Sequence, residues 1–218
     1  CNANSVADYV LSALCAIPDG LDKASLGVGL VGYGGVGKRV AARLRALGYK
    51  VLAYDPFIEN LNSLAEVLSQ PVVSLHAPLT KTGAYPSFGS VGLTALLALP
   101  EQAILISAGR GGVVRDSVLK ELAAQRADVR LVLDVWENEP SIDSELIQLA
   151  DIATPHIAGY SLDGKRNGLE QIRRRLIQYF DLQAIAEINW GEADGDKLHI
   201  PIGQVLAEHS EVDSDSKL

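Results

Sequence analysis

The sequence predicts an α/β fold built on a doubly wound parallel sheet, and three observations support this prediction. Short apolar runs rich in β-branched residues alternate with longer segments whose apolar residues recur at helical spacing. The short runs are mainly apolar, which is typical of parallel strands that are covered on both faces. Hydrophobic residues make up 48% and charged residues 21% of the 218 residues, as in ordinary globular domains.

Six strands and seven helices make up the predicted order of elements. The strands are expected at residues 27–31, 50–54, 72–75, 103–107, 130–134 and 152–154. The helices are expected at residues 1–18, 35–47, 63–68, 91–99, 116–125, 144–150 and 162–180. Gly48 ends the second helix, because glycine readily adopts the conformation found just past a helix C-terminus, and Pro100 stops the fourth. Asp116 is the expected N-cap of the fifth helix.

Composition, charge and hydropathy limit the classes of partner. A net charge of −8 argues against a nucleic-acid or anionic-membrane partner, since both require a basic face. No apolar run reaches the roughly 18 residues that indicate a transmembrane helix. Residues 1–18 lack the basic flank of a signal peptide and include Asp8, so an amphipathic helix is expected there. Cys1 and Cys15 form neither a disulfide framework nor a metal-binding spacing, which favours a reducing cytoplasm and no metal site.

A glycine motif follows the first strand directly and opens the second helix. The stretch Gly32-Tyr33-Gly34-Gly35-Val36-Gly37 contains G-x-G-x-x-G, which is weak evidence alone because glycine is common in turns. The next strand leads into Asp55, and this context predicts a Rossmann-type dinucleotide site rather than a structural turn with a surface aspartate. Because Asp55 would repel a 2′-phosphate, the expected cofactor is NAD and not NADP. The cofactor-binding residues predicted here are Gly32, Gly34, Gly35, Val36, Gly37 and Asp55.

Three ionisable side chains follow later strands of the predicted sheet. Arg110 follows the fourth strand among glycines, Glu139 follows the fifth and His156 the sixth. We expect them to converge, since ligands lie at the carboxyl ends of parallel strands. An arginine can clamp a carboxylate, a histidine can take a hydroxyl proton, and a carboxylate can orient that histidine and raise its pKa. The set predicts oxidation of a hydroxy acid, although each residue alone is also compatible with a solvated loop, a helix cap or a packed structural histidine.

The motifs around these residues resemble those of D-2-hydroxyacid dehydrogenases. The resemblance lies in residues 74–80 (SLHAPLT), 108–112 (AGRGG) and 134–140 (DVWENEP), and it extends over roughly residues 1–180. Residues 1–10, 78–86 and 156–168 are similar to one subgroup of that family, whose substrate is a small phosphorylated 2-hydroxy acid. The resemblance therefore implies an NAD-dependent oxidoreductase that forms a homodimer as a complete protein.

The same resemblance implies a role for each matching residue. Arg110 would bind the substrate carboxylate, His156 would be the acid and base, and Glu139 would pair with His156. Tyr160 would contact the substrate. The further cofactor contacts implied are His76, Ala77, Ala108, Gly109, Arg110, Asp134 and Gly159. Ala77 stands where the subgroup often has a hydroxyl residue.

The expected domain organisation follows from the family resemblance and from the order of the predicted strands and helices. Residues 1–182 are expected to form the dinucleotide-binding domain with its flanking inter-domain helices. Residues 183–218 are expected to hold the remnant of a further substrate or dimerisation region and a polar tail. The absence of methionine and the start at Cys1 indicate either a piece of a longer protein or omitted modified methionines and loops. Most of the substrate domain is expected to lie outside the chain.

Two alternatives to this function remain open at the level of sequence. The substrate of the enzyme can be another 2-hydroxy acid, such as phosphoglycerate or glyoxylate and hydroxypyruvate. A non-catalytic dinucleotide-sensing interaction protein would keep the fold but would not need Arg110, Glu139 and His156 together. An enzyme requires Arg110 and His156 to face one cleft, with Glu139 within hydrogen-bond reach of the His156 ring.

Overall fold

The computed structural model describes residues 2–180, which form six strands and eight helices. The strands are β1 (Val28–Val31), β2 (Val51–Tyr54), β3 (Val72–Leu75), β4 (Ile104–Ser107), β5 (Arg130–Leu133) and β6 (Ile152–Ala153). The helices are α1 (Ala3–Ala16), α2 (Gly20–Leu26), α3 (Gly35–Ala46), α4 (Leu64–Leu68), α5 (Leu93–Leu97), α6 (Asp116–Gln125), α7 (Ser144–Leu149) and α8 (Leu162–Phe180).

All six strands pair in parallel, in the spatial order β2-β1-β3-β4-β5-β6. The chain leaves β1 toward β2 on one side and then returns to place β3 on the other side. Ligands of such sheets bind at this reversal, beyond the carboxyl ends of the strands. The predicted doubly wound parallel sheet is therefore confirmed, and the topology locates the crevice between the ends of β1 and β3.

The sheet carries a separate hydrophobic core on each face. Alternate residues of β4 point to opposite faces, so Ile104 and Ile106 belong to one core and Leu105 to the other. The first core holds Val10 and Leu14 of α1 together with the apolar side of α3. The second core holds buried residues of α4, α5, α6 and α7. Burial on both faces explains why the strands are mainly apolar.

Three local expectations differ from the structure. Helix α2 was not predicted, because its seven residues are too few to show helical periodicity. Asp116 is not an N-cap: Arg115 occupies that position, and the Asp116 carboxylate accepts hydrogen bonds of 3.3 and 3.4 Å from the Glu137 N–H. The cap of α7 is Asp143, whose Oδ1 accepts from two backbone amides, so Glu139 is free for another partner.

The end of the described region bears on the predicted domains. The chain divides into one unit over Cys1–Arg175 and another over Leu176–Leu218. The predicted boundary after residue 182, and the predicted strands and tail beyond it, lie outside the described residues and stay predictions. Within residues 2–180, no helix is long and apolar enough to cross a membrane.

Gly29 tests the packing of the central strand. A Cβ atom at this position would overlap the carbonyl group of Val67 in α4, whereas one at Gly92 would meet no atom within 4 Å. We expect Gly29→Ala to lower the free energy of unfolding by about 1–3 kcal/mol, because the helix must move away from the sheet. Gly92→Ala should change it by less than about 1 kcal/mol. Denaturant unfolding followed by circular dichroism would measure both, and equal stabilities would contradict this packing.

Candidate active site

Two cavities are lined by predicted site residues. The larger one lies where the topology places it, beyond the ends of β1, β2 and β3. Its volume is about 510 Å³. Five residues of the predicted cofactor set line it: Gly32, Gly34, Asp55, His76 and Ala77. The rest of its wall is largely apolar and includes Phe57, Ile58, Leu64, Tyr85 and Val91. The cleft thus combines a glycine loop and a carboxylate with an apolar wall.

Backbone geometry explains the glycines of the motif. Gly32 has a φ of +94°, and a Cβ there would lie 2.6 Å from the backbone nitrogen of Ala77. A Cβ on Gly37 would overlap the carbonyl oxygen of Gly32, so Gly37 allows α3 to start close to β1. Gly34 is the N-cap of α3 and offers no side chain to cap it. The first amides of α3 are therefore available to an anion such as a pyrophosphate, and open space surrounds Gly34.

Gly35 and Val36 contribute through the backbone rather than through side chains. Both lie in the first turn of α3, and the Val36 side chain packs against the core on one face of the sheet. Neither residue lines the cleft, and neither does Gly37. Their predicted contact with the cofactor therefore depends on the amide groups at the start of the helix.

Asp55 connects the glycine loop to the end of β2. Its Oδ2 accepts a hydrogen bond of 2.9 Å from the Tyr33 N–H, and its Oδ1 accepts one of 3.1 Å from the Phe57 N–H. Each carboxylate oxygen keeps a further lone pair. Asp55 therefore holds the loop in place and can still accept hydrogen bonds from ribose hydroxyls.

A second cavity of about 230 Å³ lies at the ends of β4, β5 and β6. The structure brings seven predicted site residues together around it: Ala108, Gly109, Arg110, Asp134, His156, Gly159 and Tyr160. Asn2, Val6 and Ala158 complete its wall and were not predicted. A Cβ on Gly109 would lie 3.0 Å from the Ala77 carbonyl oxygen, so the wall of this cavity touches that of the larger cleft.

His156 and Glu139 form a close pair at this cavity. The Nδ1 atom of His156 lies 2.6 Å from Oε2 of Glu139, while Oε1 of Glu139 accepts a 2.8 Å bond from the Trp136 N–H. Because a carboxylate accepts and does not donate, Nδ1 carries the proton and Nε2 of a neutral ring is an acceptor. The His156 side chain is 39% exposed, so a ligand can reach it. Glu139 lies behind the ring and does not line the cavity.

A buried carboxylate fixes the loop that carries His156. Asp134 is 1% exposed, and its Oδ1 accepts from the Thr154 hydroxyl at 2.6 Å and from the Ile157 N–H at 2.8 Å. Its Oδ2 accepts from the Ala158 N–H at 3.0 Å. Burial raises the pKa of Asp134 above its ordinary value, and these hydrogen bonds oppose that rise. Asp134 thus lines the cavity as predicted, but its oxygens are largely used by the protein.

Arg110 and Tyr160 project at the rim of the same cavity. Arg110 is exposed, and its Nη1 donates to the carbonyl oxygen of Gly109 at 2.8 Å. No carboxylate among residues 2–180 forms an ion pair with it, so its guanidinium is available to an anionic ligand. Tyr160 is 66% exposed, and its hydroxyl oxygen accepts a 2.6 Å bond from Nζ of Lys165. Lys165 lies within residues 156–168, which carry the resemblance to one subgroup of the family, but the sequence predicted no role for it.

His76 lies in the wall of the larger cleft in a neutral form. Burial lowers its pKa to about 4. One ring nitrogen, Nε2, lies 2.9 Å from the Ser74 hydroxyl, and Nδ1 is shielded from solvent without a protein partner. A neutral ring beside an anionic cofactor adds no charge, so His76 shapes the cleft rather than attracting the ligand.

Comparison with known families decides the family of the chain. The family described as D-isomer specific 2-hydroxyacid dehydrogenase, NAD binding domain, matches residues 18–158. The chain belongs to this family. The matched residues include the glycine motif, Arg110, Glu139 and His156, so the larger cleft and most of the wall of the second cavity lie in the matched NAD-binding domain.

Curated relatives and solved structures are similar to most of this dehydrogenase domain. An erythronate-4-phosphate dehydrogenase of Marinomonas sp. (strain MWYL1) is 46% identical over 84% of the chain and 51% of its own length. One of Cellvibrio japonicus (strain Ueda107) is 43% identical over 87% and 51%. The chain spans about half the length of these relatives. The NAD+-bound 3-phosphoglycerate dehydrogenase of Entamoeba histolytica has a TM-score of 0.70, with 24% identity over 86% of this chain and 65% of its own.

A further structure combines the fold with a small acid. The D-lactate dehydrogenase of Aquifex aeolicus, complexed with NAD and lactic acid, has a TM-score of 0.65 and 26% identity, over 82% of this chain and 66% of its own. No group of three or more His, Cys, Asp or Glu side chains within residues 2–180 is arranged to hold a metal ion.

The depressed pKa of His76 predicts a pH dependence of stability. Between its ordinary pKa of about 6.5 and the folded value of about 4, the unfolded chain binds a proton that the folded chain does not. Stability should therefore fall as pH drops through this window, by at most about 1.4 kcal/mol per pH unit for this group. We expect His76→Gln to show a shallower decline in urea unfolding between pH 6.5 and pH 4. Equal slopes would show that His76 titrates normally in the folded chain.

Proposed function

We propose that the chain is the NAD-binding part of an enzyme that oxidises 4-phospho-D-erythronate to its 2-oxo acid, in the synthesis of pyridoxal 5′-phosphate (vitamin B6). The observation that supports this proposal most strongly is the 2.6 Å contact between His156 and Glu139, at a cavity that His156 and Arg110 both line. This is the arrangement that oxidation of a hydroxy acid needs. The names of the curated relatives support the choice of acid.

The roles of the side chains follow from their positions. Arg110 holds the substrate carboxylate through two parallel hydrogen bonds and so fixes the hydroxyl-bearing carbon. Nε2 of His156 accepts the hydroxyl proton, while Nδ1 stays bonded to Glu139. The negative Glu139 stabilises the charged ring that results. Bound NAD would supply the hydride acceptor, so that the alcohol would lose a hydride and a proton and become a ketone.

The cofactor is proposed to span both cavities. The amides at the start of α3 would hold the pyrophosphate, and Asp55 would accept hydrogen bonds from the ribose hydroxyls. His76 and Ala77 line the same cleft. The backbone around Ala108 and Gly109, together with Asp134 and Gly159, would hold the nicotinamide end in the cavity that His156 lines. Because the walls of the two cavities touch at Ala77 and Gly109, one extended dinucleotide can reach from the first to the second.

Of the two alternative functions, one would use the same three residues and the other would not need them. Arg110, Glu139 and His156 would serve equally for another 2-hydroxy acid, such as phosphoglycerate, glyoxylate or hydroxypyruvate, since they act only on the carboxylate and the hydroxyl. A dinucleotide sensor has no use for the His156–Glu139 pair. The pairing in a cavity lined by Arg110 therefore favours an enzyme.

The setting of this enzyme is also a proposal. We propose a homodimer in the complete protein, as the family resemblance implies. We also propose that it acts in the cytoplasm without nucleic-acid or membrane partners, because the two cysteines favour a reducing compartment and the net charge of −8 offers no basic face. The domain division at residues 1–182 and 183–218 is proposed with it. A gel-filtration and light-scattering measurement on the complete protein would test the oligomeric state.

A panel of 2-hydroxy acids assayed with the complete protein tests the proposed function. We expect the highest kcat/KM with 4-phospho-D-erythronate. His156→Asn should reduce kcat by about 10²–10⁴-fold, because no group remains to take the proton, while leaving NADH binding unchanged. Glu139→Gln should reduce kcat by a smaller factor, since the proton acceptor His156 remains. Equal or better activity on unphosphorylated acids would displace the erythronate proposal, and a fast His156→Asn enzyme would remove His156 from the mechanism.

A further inference from the structure

Lys165 is a cation without a carboxylate partner at the rim of the smaller cavity. It lies in the first turn of α8 and is exposed. Its Nζ donates to the Tyr160 hydroxyl at 2.6 Å and stands 3.8 Å from the centroid of the Tyr160 ring. No carboxylate among residues 2–180 forms an ion pair with Lys165. By contrast, Lys120 is paired with both Asp143 and Glu145.

The pair of Tyr160 and Lys165 lies next to the proposed reaction site. Tyr160 lines the cavity that holds Arg110 and His156, and it also lines an adjoining groove of about 470 Å³. Lys165 lines that groove. Asn2 and Gly159 border both spaces, so the cavity and the groove adjoin at this edge. A ligand whose carboxylate is bound by Arg110 can therefore extend past Tyr160 toward Lys165.

The chemistry of the proposed substrate favours a second cation. A phosphorylated 2-hydroxy acid carries a carboxylate at one end and a phosphate at the other. The chain has a net charge of −8 and does not attract such an anion through its overall field, so local cations are needed to hold it. Arg110 is assigned to the carboxylate. Lys165 is suitably placed for the other end, since lysine binds phosphate as a point charge.

Tyr160 adds a neutral donor beside this cation. Its oxygen accepts the hydrogen bond from Lys165, so its own proton is free to donate to a ligand. The hydrogen bond and the positive charge of Lys165 lower the pKa of the Tyr160 hydroxyl. A more acidic hydroxyl is a stronger donor, and a phosphate presents several oxygens to accept from the ammonium and the phenol together.

We propose that Lys165, with Tyr160, binds the phosphate group of the substrate and so selects phosphorylated over unphosphorylated 2-hydroxy acids. The proposal rests on the proposed function and assigns a specificity-determining residue to it. Lys165 acts at the end of the substrate that does not react. Its loss should therefore weaken binding of the phosphorylated acid and leave the chemistry at His156 unchanged.

Steady-state kinetics of the complete protein with 4-phospho-D-erythronate and with D-erythronate test this role. We expect Lys165→Met to raise KM for the phosphorylated acid about 10- to 100-fold, as expected for loss of one charge-assisted hydrogen bond. The kcat should change less than about threefold. The KM for erythronate should stay the same, and Lys165→Arg should retain most of the discrimination. Lys50→Met is the matched control, because Lys50 is exposed at the opposite edge of the sheet, before β2.

Two outcomes overturn the proposal. An equal rise in KM for both acids shows that Lys165 only positions Tyr160, and an unchanged KM for both shows that it binds nothing. If the wild-type protein prefers another acid, the proposed function fails, and inhibition by inorganic phosphate then tests Lys165 separately. We expect phosphate to inhibit the wild type competitively and Lys165→Met at least several-fold more weakly. Equal inhibition of the two proteins would remove Lys165 from phosphate binding.

Discussion

The buried carboxylate of Asp134 determines the geometry of the smaller cavity, where His156 lies. It stands at the end of β5 and accepts three hydrogen bonds from the loop that follows β6. That loop holds His156 at a φ of +56°, a conformation that costs a non-glycine residue of order 1–3 kcal/mol. The three hydrogen bonds hold the loop in this conformation, and they thereby keep the His156 ring facing Glu139.

The support for this loop extends into the first helix. The Thr154 hydroxyl donates its proton to Asp134, so the Tyr9 hydroxyl, 2.7 Å away, must donate to Thr154. Burial raises the pKa of Tyr9, which keeps this donor protonated. At the other end of the loop, a Cβ on Gly159 would overlap the Asn2 side chain. Helix α1 and the residue before it therefore position the loop as well as covering the sheet.

The sequence predicted what periodicity and topology encode, and it missed what depends on contacts between distant loops. Parallel strands buried on both faces have a recognisable pattern, and the carboxyl-end rule then places Arg110, Glu139 and His156 at one edge. No local signal shows that the Asp134 oxygens bind a loop more than 20 residues later. Asp116 illustrates the same limit. Aspartate is a common N-cap residue, but the Asp116 carboxylate accepts a hydrogen bond from the distant Glu137 N–H instead. Lys165 was uninformative in sequence because an exposed lysine is usually a solvated one.

NMR of the Nδ1–H proton of His156 shows directly whether Asp134 fixes His156 against Glu139. In ¹⁵N-histidine-labelled protein, an Nδ1–H proton that is hydrogen-bonded over 2.6 Å should give a far-downfield resonance that His156→Asn removes. Asparagine offers one acceptor oxygen and turns its amide toward a donor, so Asp134→Asn cannot hold the loop. We expect this resonance to disappear in Asp134→Asn while the far-ultraviolet circular dichroism of the fold persists. An unchanged resonance in that variant would show that the pair forms without Asp134.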